Sequence, residues 1–152
     1  MFTILLQAIE NVALALIVGG AIVMAAAVRP FLSEKLALSS DAGLVATLEE
    51  ISINSWNRYN RLALASAAAL TVVDIIRFLT QLSAAYWHLG LTLLMLTALT
   101  GKLAVDKQLK LRLNTHAAAA VNSEEQNRGH RQVERLTKLI LVIALLLVIL
   151  PQ

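Results

Sequence analysis

The sequence predicts an all-α polytopic membrane protein: a four-transmembrane-helix bundle with a cytoplasmic amphipathic helix and a helical hairpin extension. Of its 152 residues, 58% are hydrophobic and only 15% are charged, whereas soluble domains carry about 25% charged residues. The apolar residues form long runs, and the mean hydropathy is +0.70. A single domain is expected, because no linker rich in proline, serine or glycine divides the chain. Cysteine is absent, which excludes disulfides, thiolate metal sites and a cysteine nucleophile.

The first predicted span covers residues 2–28, which is long enough to cross the roughly 30 Å hydrocarbon layer of a bilayer. Glu10 and Asn11 lie inside this apolar run. A carboxylate at that depth is costly unless another helix supplies a partner. A cleavable signal peptide is disfavoured, because no lysine or arginine precedes Glu10.

Two glycines and a proline set the expected packing and end of this span. Gly19 and Gly20 remove side-chain bulk, which predicts close contact with the alanine-rich start of span two. Arg29 and Pro30 follow, and we expect the helix to end there because proline cannot continue an α-helix.

The first long connection is predicted to hold an amphipathic surface helix over residues 41–53. Asp41, preceded by two serines, is suited to cap its N-terminus, and leucine and isoleucine then recur at helical spacing. Trp56 and Tyr59 follow among regularly spaced asparagines, a composition typical of the boundary between water and lipid.

The remaining spans are predicted at residues 61–80, 86–106 and 136–150. A short turn at about 81–85 should join spans two and three. Span three should continue as a helix through 102–121, because no glycine or proline interrupts that stretch. A turn at Asn122 then begins the returning helix, with Ser123 and Gln126 as its capping box.

The basic residues are distributed asymmetrically over this topology. Of the 13 lysines and arginines, twelve lie in or beside the two long connections, and Arg77 alone lies toward the other side. By the positive-inside rule, both connections face the cytoplasm and both termini lie outside, in a membrane of the bacterial inner-membrane type. This arrangement explains the basic composition without nucleic acid.

Five polar residues are predicted to meet in the outer half of the bundle: Glu10, Asn11, Asp74, Arg77 and His88. Asp74 and Arg77 are neighbours on one helix, and two carboxylates beside one certain cation favour a shared proton. Two interpretations remain open. The cluster is either a structural network that holds the helices together, or a site for a proton or cation.

A second set of charges is predicted to pair across the cytoplasmic hairpin. Counting outward from the expected turn, Asp106 should face Lys138, and Lys110 should face Glu134. Lys102 and Asp106 add a contact four residues apart on one helix. The structural interpretation is favoured here, with docking of acidic lipid headgroups or of a cytosolic partner at the basic stem as the alternative.

No enzyme, cofactor or metal site is predicted. The sequence contains no nucleophile elbow, zinc-protease motif, phosphate-binding loop or dinucleotide fingerprint. His88 is predicted near the outside, whereas His116 and His130 are predicted on the cytoplasmic side, so one haem cannot bridge them. A metal site at His88 with a nearby carboxylate lacks any regular ligand spacing.

Several landmarks resemble those of a known membrane family. They are Gly19-Gly20, Pro30, Tyr59-Asn60 and Gly129-His130 before the terminal apolar helix. Together they are similar to the domain-of-unknown-function 4149 family, which includes a human transmembrane protein linked to cisplatin resistance, and more distantly to the copper-resistance D membrane domain. The resemblance implies a protein of four membrane helices and an association with metal-drug export or resistance. It implies no catalytic residue.

Two functions are therefore expected from the sequence. The first is a non-enzymatic membrane component that packs with itself or with a larger complex. The alternative is a small permease or proton- or cation-linked transporter that uses Glu10, Asp74 and Arg77.

Overall fold

The computed structural model describes residues 1–80, 82, 86–121 and 123–150, and every regular element within them is helical. Of the turn predicted at 81–85, only Leu82 is among the described residues, and Asn122 lies outside them. The helices are α1 (Phe2–Val23), α2 (Arg29–Leu38), α3 (Ala42–Leu79), α4 (Tyr86–His116) and α5 (Glu124–Ile149), with a π-helical segment (Met24–Val28) and a 3₁₀ turn (Ala117–Ala119).

The first helix does not end at Arg29 and Pro30, contrary to the sequence prediction. The π-helical segment Met24–Val28 follows α1 directly, and α2 continues from it to Leu38. The Arg29 amide donates to the Met24 carbonyl, five residues back. Pro30 then occupies the first turn of α2, where a missing N–H costs little. The wider π-helical turn therefore lets the chain stay helical through the proline.

The predicted amphipathic helix at 41–53 is not a separate surface element. It forms the first part of α3, a continuous helix of 38 residues. Asp41 does cap this helix, because its carboxylate accepts a hydrogen bond from the Gly43 amide at 2.8 Å. Ile53 is 3% exposed and packs in a small apolar cluster with Leu109 and Val133. The stretch is therefore one wall of the bundle, because its apolar face meets α4 and α5.

The hairpin between α4 and α5 is tighter than the sequence predicts. The sequence predicts a helix through 102–121, but α4 ends at His116 and a 3₁₀ turn follows. Ala117 has a φ of 47°, in the left-handed region. The return of α5 onto the bundle therefore overrides the high helix propensity of the alanines. At the start of α5, the Ser123 hydroxyl caps the Gln126 amide at 3.2 Å, which is half of the predicted capping box.

Among the described residues, three helical stretches are long and apolar enough to cross a membrane. They are Phe2–Leu38, Ala42–Leu79 and Tyr86–Ala119. α5 carries charges through its first half, but its apolar half belongs to the same core as the other helices. α1 packs against α3 and α5, and α4 packs against the same two helices. The result is a helical bundle whose outward side chains are mostly apolar.

The two glycines of α1 have different surroundings. A side chain at Gly20 would lie 2.5 Å from Cε2 of Tyr59, whereas nothing lies within 4 Å of one at Gly19. Successive residues point about 100° apart around a helix, so only one of the pair can face α3. Gly20 is therefore the position of close approach, and its neighbour there is an aromatic ring rather than an alanine.

Candidate functional site

The helices bring buried polar side chains together at the end of the bundle that holds the N-terminus. We call Glu10, Asp74, Arg77, His88 and Thr92 the polar cluster. Glu10 lies on the buried face of α1. Asp74 and Arg77 lie three residues apart on α3, and His88 and Thr92 lie four apart on α4. Each side chain therefore points inward with the apolar residues of its helix face. All five are at most 7% exposed.

Ion pairs and hydrogen bonds connect the cluster across α1, α3 and α4. Arg77 Nη1 lies 2.8 Å from Glu10 Oε2. His88 lies between two carboxylates, with Nδ1 2.7 Å from Asp74 Oδ1 and Nε2 3.4 Å from Glu10 Oε1. The Thr92 hydroxyl donates to Asp74 Oδ2 at 2.9 Å. The arrangement balances two carboxylates against a guanidinium and an imidazole, which permits a proton to be held between acid and base.

The structure brings together four of the five residues predicted for this site. Asn11 is exposed and stays at the edge, where its amide oxygen accepts a 3.4 Å hydrogen bond from Gln7. Gln7 in turn accepts from Arg77 Nη2 at 3.3 Å. Thr92 is the member that sequence reasoning missed. The available signal was its position one turn after His88, on the same face of α4.

A second buried polar group, which we call the lysine centre, comprises Lys102, Asp106, Asn60, Trp56 and Tyr59. Lys102 is 0% exposed, and its ammonium lies 4.4 Å from the Trp56 ring centroid and 5.6 Å from that of Tyr59. The Asn60 amide donates to Asp106 Oδ2. Aromatic faces and a nearby carboxylate thus replace water around the buried cation. The sequence placed the asparagine and both aromatic residues at a membrane boundary rather than at a charged site.

The predicted cross-helix ion pairs do not form. Lys138 pairs with Glu134 on its own helix at 2.8 Å, and Lys110 donates to Asn54 at 2.8 Å. Asp106 belongs to the lysine centre instead.

The register of the hairpin explains this difference. A side chain at Gly129 would touch Leu109. Along the chain, Leu109 lies farther before Asn122 than Gly129 lies after it. The early end of α4 therefore moves the centre of the hairpin toward α4.

Glu134 also binds a helix that the sequence did not place beside it. Arg29 Nη2 on α2 lies 3.2 Å from Glu134 Oε2. The hydrogen bonds from Lys138 and from Arg29 hold the pKa of the Glu134 carboxyl below its usual range. This ion pair is partly exposed, so its contribution to stability is small.

Buried hydrogen bonds attach the start of α5 to α3. The Gln126 side chain donates to Glu49 Oε1 at 2.9 Å, and His130 Nε2 lies 2.7 Å from the same oxygen. Glu49 is 6% exposed and Gln126 is 1% exposed. The Gln126 side chain is therefore used in a tertiary contact instead of completing its capping box. No pattern along the chain indicated this pairing of residues far apart in sequence.

An apolar layer separates the polar cluster from the lysine centre. Along α4 it lies between Thr92 and Lys102, which are about 15 Å apart at the rise of an α-helix. All four long helices contribute side chains that are at most 5% exposed. They are Leu14, Ile17, Ala67, Leu70, Met95, Leu99, Ile143, Ala144 and Leu147. The buried hydroxyls of Ser66 and Thr71 on α3 also lie at this depth, and Thr71 donates to the Ala67 carbonyl at 2.9 Å, so the layer is mainly rather than wholly apolar.

Comparison of the chain with protein-family models, curated proteins and solved structures found no match. The resemblance to the domain-of-unknown-function 4149 family and to the copper-resistance D domain therefore stays a prediction. Within the residues that the structure describes, no three acidic or histidine side chains are grouped to hold a metal ion.

Proposed function

We propose that the chain is a non-enzymatic integral membrane component that packs with itself or with a larger complex, and that its polar cluster holds its helices together. The observation that carries this proposal is the mainly apolar layer, which separates the polar cluster from the lysine centre. The cluster side chains bond to one another across three helices, as a structural network requires.

We also propose a fourth span, formed by residues 136–150. This half of α5 packs into the shared core through residues that include Ile140 and Ile143. Its opposite side is apolar and exposed, with Val142 at 55% and Val148 at 58%. Such a surface is favourable in lipid and unfavourable in water. The apolar run is short, and tilt or local thinning of the bilayer compensates for its length.

The proposed location is a bacterial-type inner membrane, with both termini outside and both connections in the cytoplasm. The asymmetry of the basic residues supports this orientation. Because the chain has no cysteine, single cysteines report sidedness without background. Thr3→Cys should react with an impermeant maleimide in intact cells, and Lys107→Cys only after permeabilisation. The reverse pattern would refute the orientation.

Glu10→Gln tests the structural role of the polar cluster. Breaking a buried ion pair by removing one partner costs about 3–5 kcal/mol, so the variant should unfold at lower temperature in detergent. Glu124→Gln is the matched control, because that side chain is 80% exposed and pairs only within α5. Wild-type protein in liposomes should carry no flux driven by a pH gradient. An unchanged melting temperature for Glu10→Gln would contradict the structural role.

One arrangement favours a second function, proton- or cation-linked transport. His88 lies between Glu10 and Asp74, and an imidazole can take a proton from one acid and return it to the other. A cavity of about 650 Å³ between α1 and α5 is lined by Gln7, Glu10 and Asn11. This function would require movement of the apolar layer or a path formed with a second copy. A flux abolished by Glu10→Gln at unchanged stability would establish it in place of the structural role.

A further inference from the structure

A second cavity lies on the other side of the apolar layer, between the α1–α2 stretch, α3 and α5. Its volume is about 650 Å³, within the range of roughly 300–1,000 Å³ for small-molecule sites. More than half of its lining residues are apolar, and Ala21, Ala25 and Ala26 form one wall together with Ile22. Part of this wall is the π-helical segment, a feature frequent at functional sites. We call this space the lateral cavity.

Two cations converge on one carboxylate in the wall of the lateral cavity. Arg29 and Lys138 both contact Glu134, at 3.2 Å and 2.8 Å. Their side chains are 51% and 74% exposed, while that of Glu134 is 35% exposed. α2 packs mainly against α3, so the Arg29–Glu134 bridge joins α2 to α5 beside the cavity. Two positive charges and one negative charge leave a net positive charge, in a geometry suited to an acidic group.

The other charged groups of the lateral cavity already have partners. Glu49 is bound by Gln126 and His130. Asp106 is bound by Asn60, and the buried ammonium of the lysine centre lies close to it. The ammonium of Lys102 offsets the charge of Asp106, and a protonated His130 would offset that of Glu49, so the positive charge that remains lies at Arg29 and Lys138.

We propose that the lateral cavity binds one anionic phospholipid, with its phosphate at Arg29 and Lys138 and an acyl chain along the alanine wall. This inference rests on the proposed membrane location, which places the cavity at the cytoplasmic leaflet. The apolar wall suits an acyl chain, and the excess positive charge selects an anionic headgroup over a zwitterionic one. Glu134 occupies the phosphate position when the lipid is absent.

Lipid titration of the purified chain tests the proposal. Delipidated protein in mild detergent is titrated with phosphatidylglycerol, with phosphatidylcholine of the same acyl chains, and with glycerol phosphate, and native mass spectrometry counts the bound molecules. One phosphatidylglycerol should bind at least about tenfold more tightly than phosphatidylcholine, the factor for one charge-assisted hydrogen bond. Glycerol phosphate should not bind. Equal binding of the two lipids, or binding of glycerol phosphate, would overturn the proposal.

Variants separate the headgroup contact from the acyl-chain contact. Arg29→Gln and Lys138→Gln should each weaken phosphatidylglycerol binding by about tenfold. Ala25→Phe should reduce binding of both lipids by filling the cavity. If that variant does not fold, the smaller change Ala26→Leu serves the same purpose. Lys107→Gln is the matched control, because it removes an exposed cation outside the cavity. Unchanged binding of phosphatidylglycerol by both Arg29→Gln and Lys138→Gln would refute the site.

Failure of the lipid site differs from failure of the proposed function. If the chain is extracted from membranes but binds both lipids equally, the membrane assignment stands and the lipid proposal fails. If the chain is recovered in the soluble fraction without detergent, the membrane assignment itself fails.

Discussion

Replacing Gly20 with alanine should destabilise the bundle, while the same change at Gly19 should not. The new Cβ at position 20 would lie 2.5 Å from Cε2 and 2.8 Å from Cδ2 of Tyr59. The ring has little freedom to retreat, because its hydroxyl donates to the Ile17 carbonyl at 2.8 Å and its edge packs against Trp56. Either the ring moves and that hydrogen bond is lost, or α1 separates from α3.

The expected magnitude follows from these contacts. Overpacking costs about 1–3 kcal/mol, and the lost hydrogen bond costs about 1 kcal/mol. Alanine in place of glycine within a helix returns roughly 0.5–1 kcal/mol. Gly20→Ala should therefore lower the free energy of unfolding by about 1–3 kcal/mol. Gly19→Ala has open space around its new Cβ, so it should raise that free energy by roughly 0.5–1 kcal/mol through helix propensity alone. The difference between the two variants is therefore about 2–4 kcal/mol, which corresponds to roughly 6–12 °C in melting temperature on the scale of soluble chains of this size.

Thermal unfolding of the two variants in the same detergent, followed by circular dichroism, measures this gap. A double variant of Gly20→Ala with Tyr59→Leu identifies the cause, because removing the ring should remove most of the penalty. Equal melting temperatures for the two alanine variants would refute the reasoning. An equal loss of stability from Gly20→Ala with tyrosine and with leucine at position 59 would also refute it.

Two further predictions concern α5. Gly129→Ala should lower the free energy of unfolding by about 1–2 kcal/mol, since its Cβ would lie 2.5 Å from Cδ2 of Leu109. In thermal melts, this loss should be smaller when Leu109 is also replaced by alanine. An equal loss with leucine and with alanine at position 109 would contradict the contact. Glu134 should titrate below its ordinary value of 4.5, so its ion pairs persist above that pH and weaken as the pH falls through the lowered pKa. Carbon-13 NMR of the labelled carboxyl should show the midpoint rise in Lys138→Gln, and a wild-type midpoint at or above 4.5 would contradict this.

Local features of the sequence predict the helices, and counting residues along them predicts which polar residues lie level with one another. Apolar periodicity and the absence of glycine or proline predict long helices, and the Asp41 and Ser123 caps depend only on residues within three positions. Glu10, Asp74, Arg77 and His88 were expected to meet because depth follows from counting residues along each span. The structure shows that their side chains also face one another.

Tertiary structure alone decided which distant residues pair and where a helix continues. Glu49 bonds to Gln126, and Lys110 to Asn54, because the register of packed helices depends on every contact between them rather than on distance from a turn. The π-helical turn before Pro30 and the left-handed Ala117 oppose local propensity, which is weak against tertiary packing. Near neighbours along the chain suffice to predict which residues are helical and apolar. Partner choice arises from packing across the bundle, and only the folded chain contains that information.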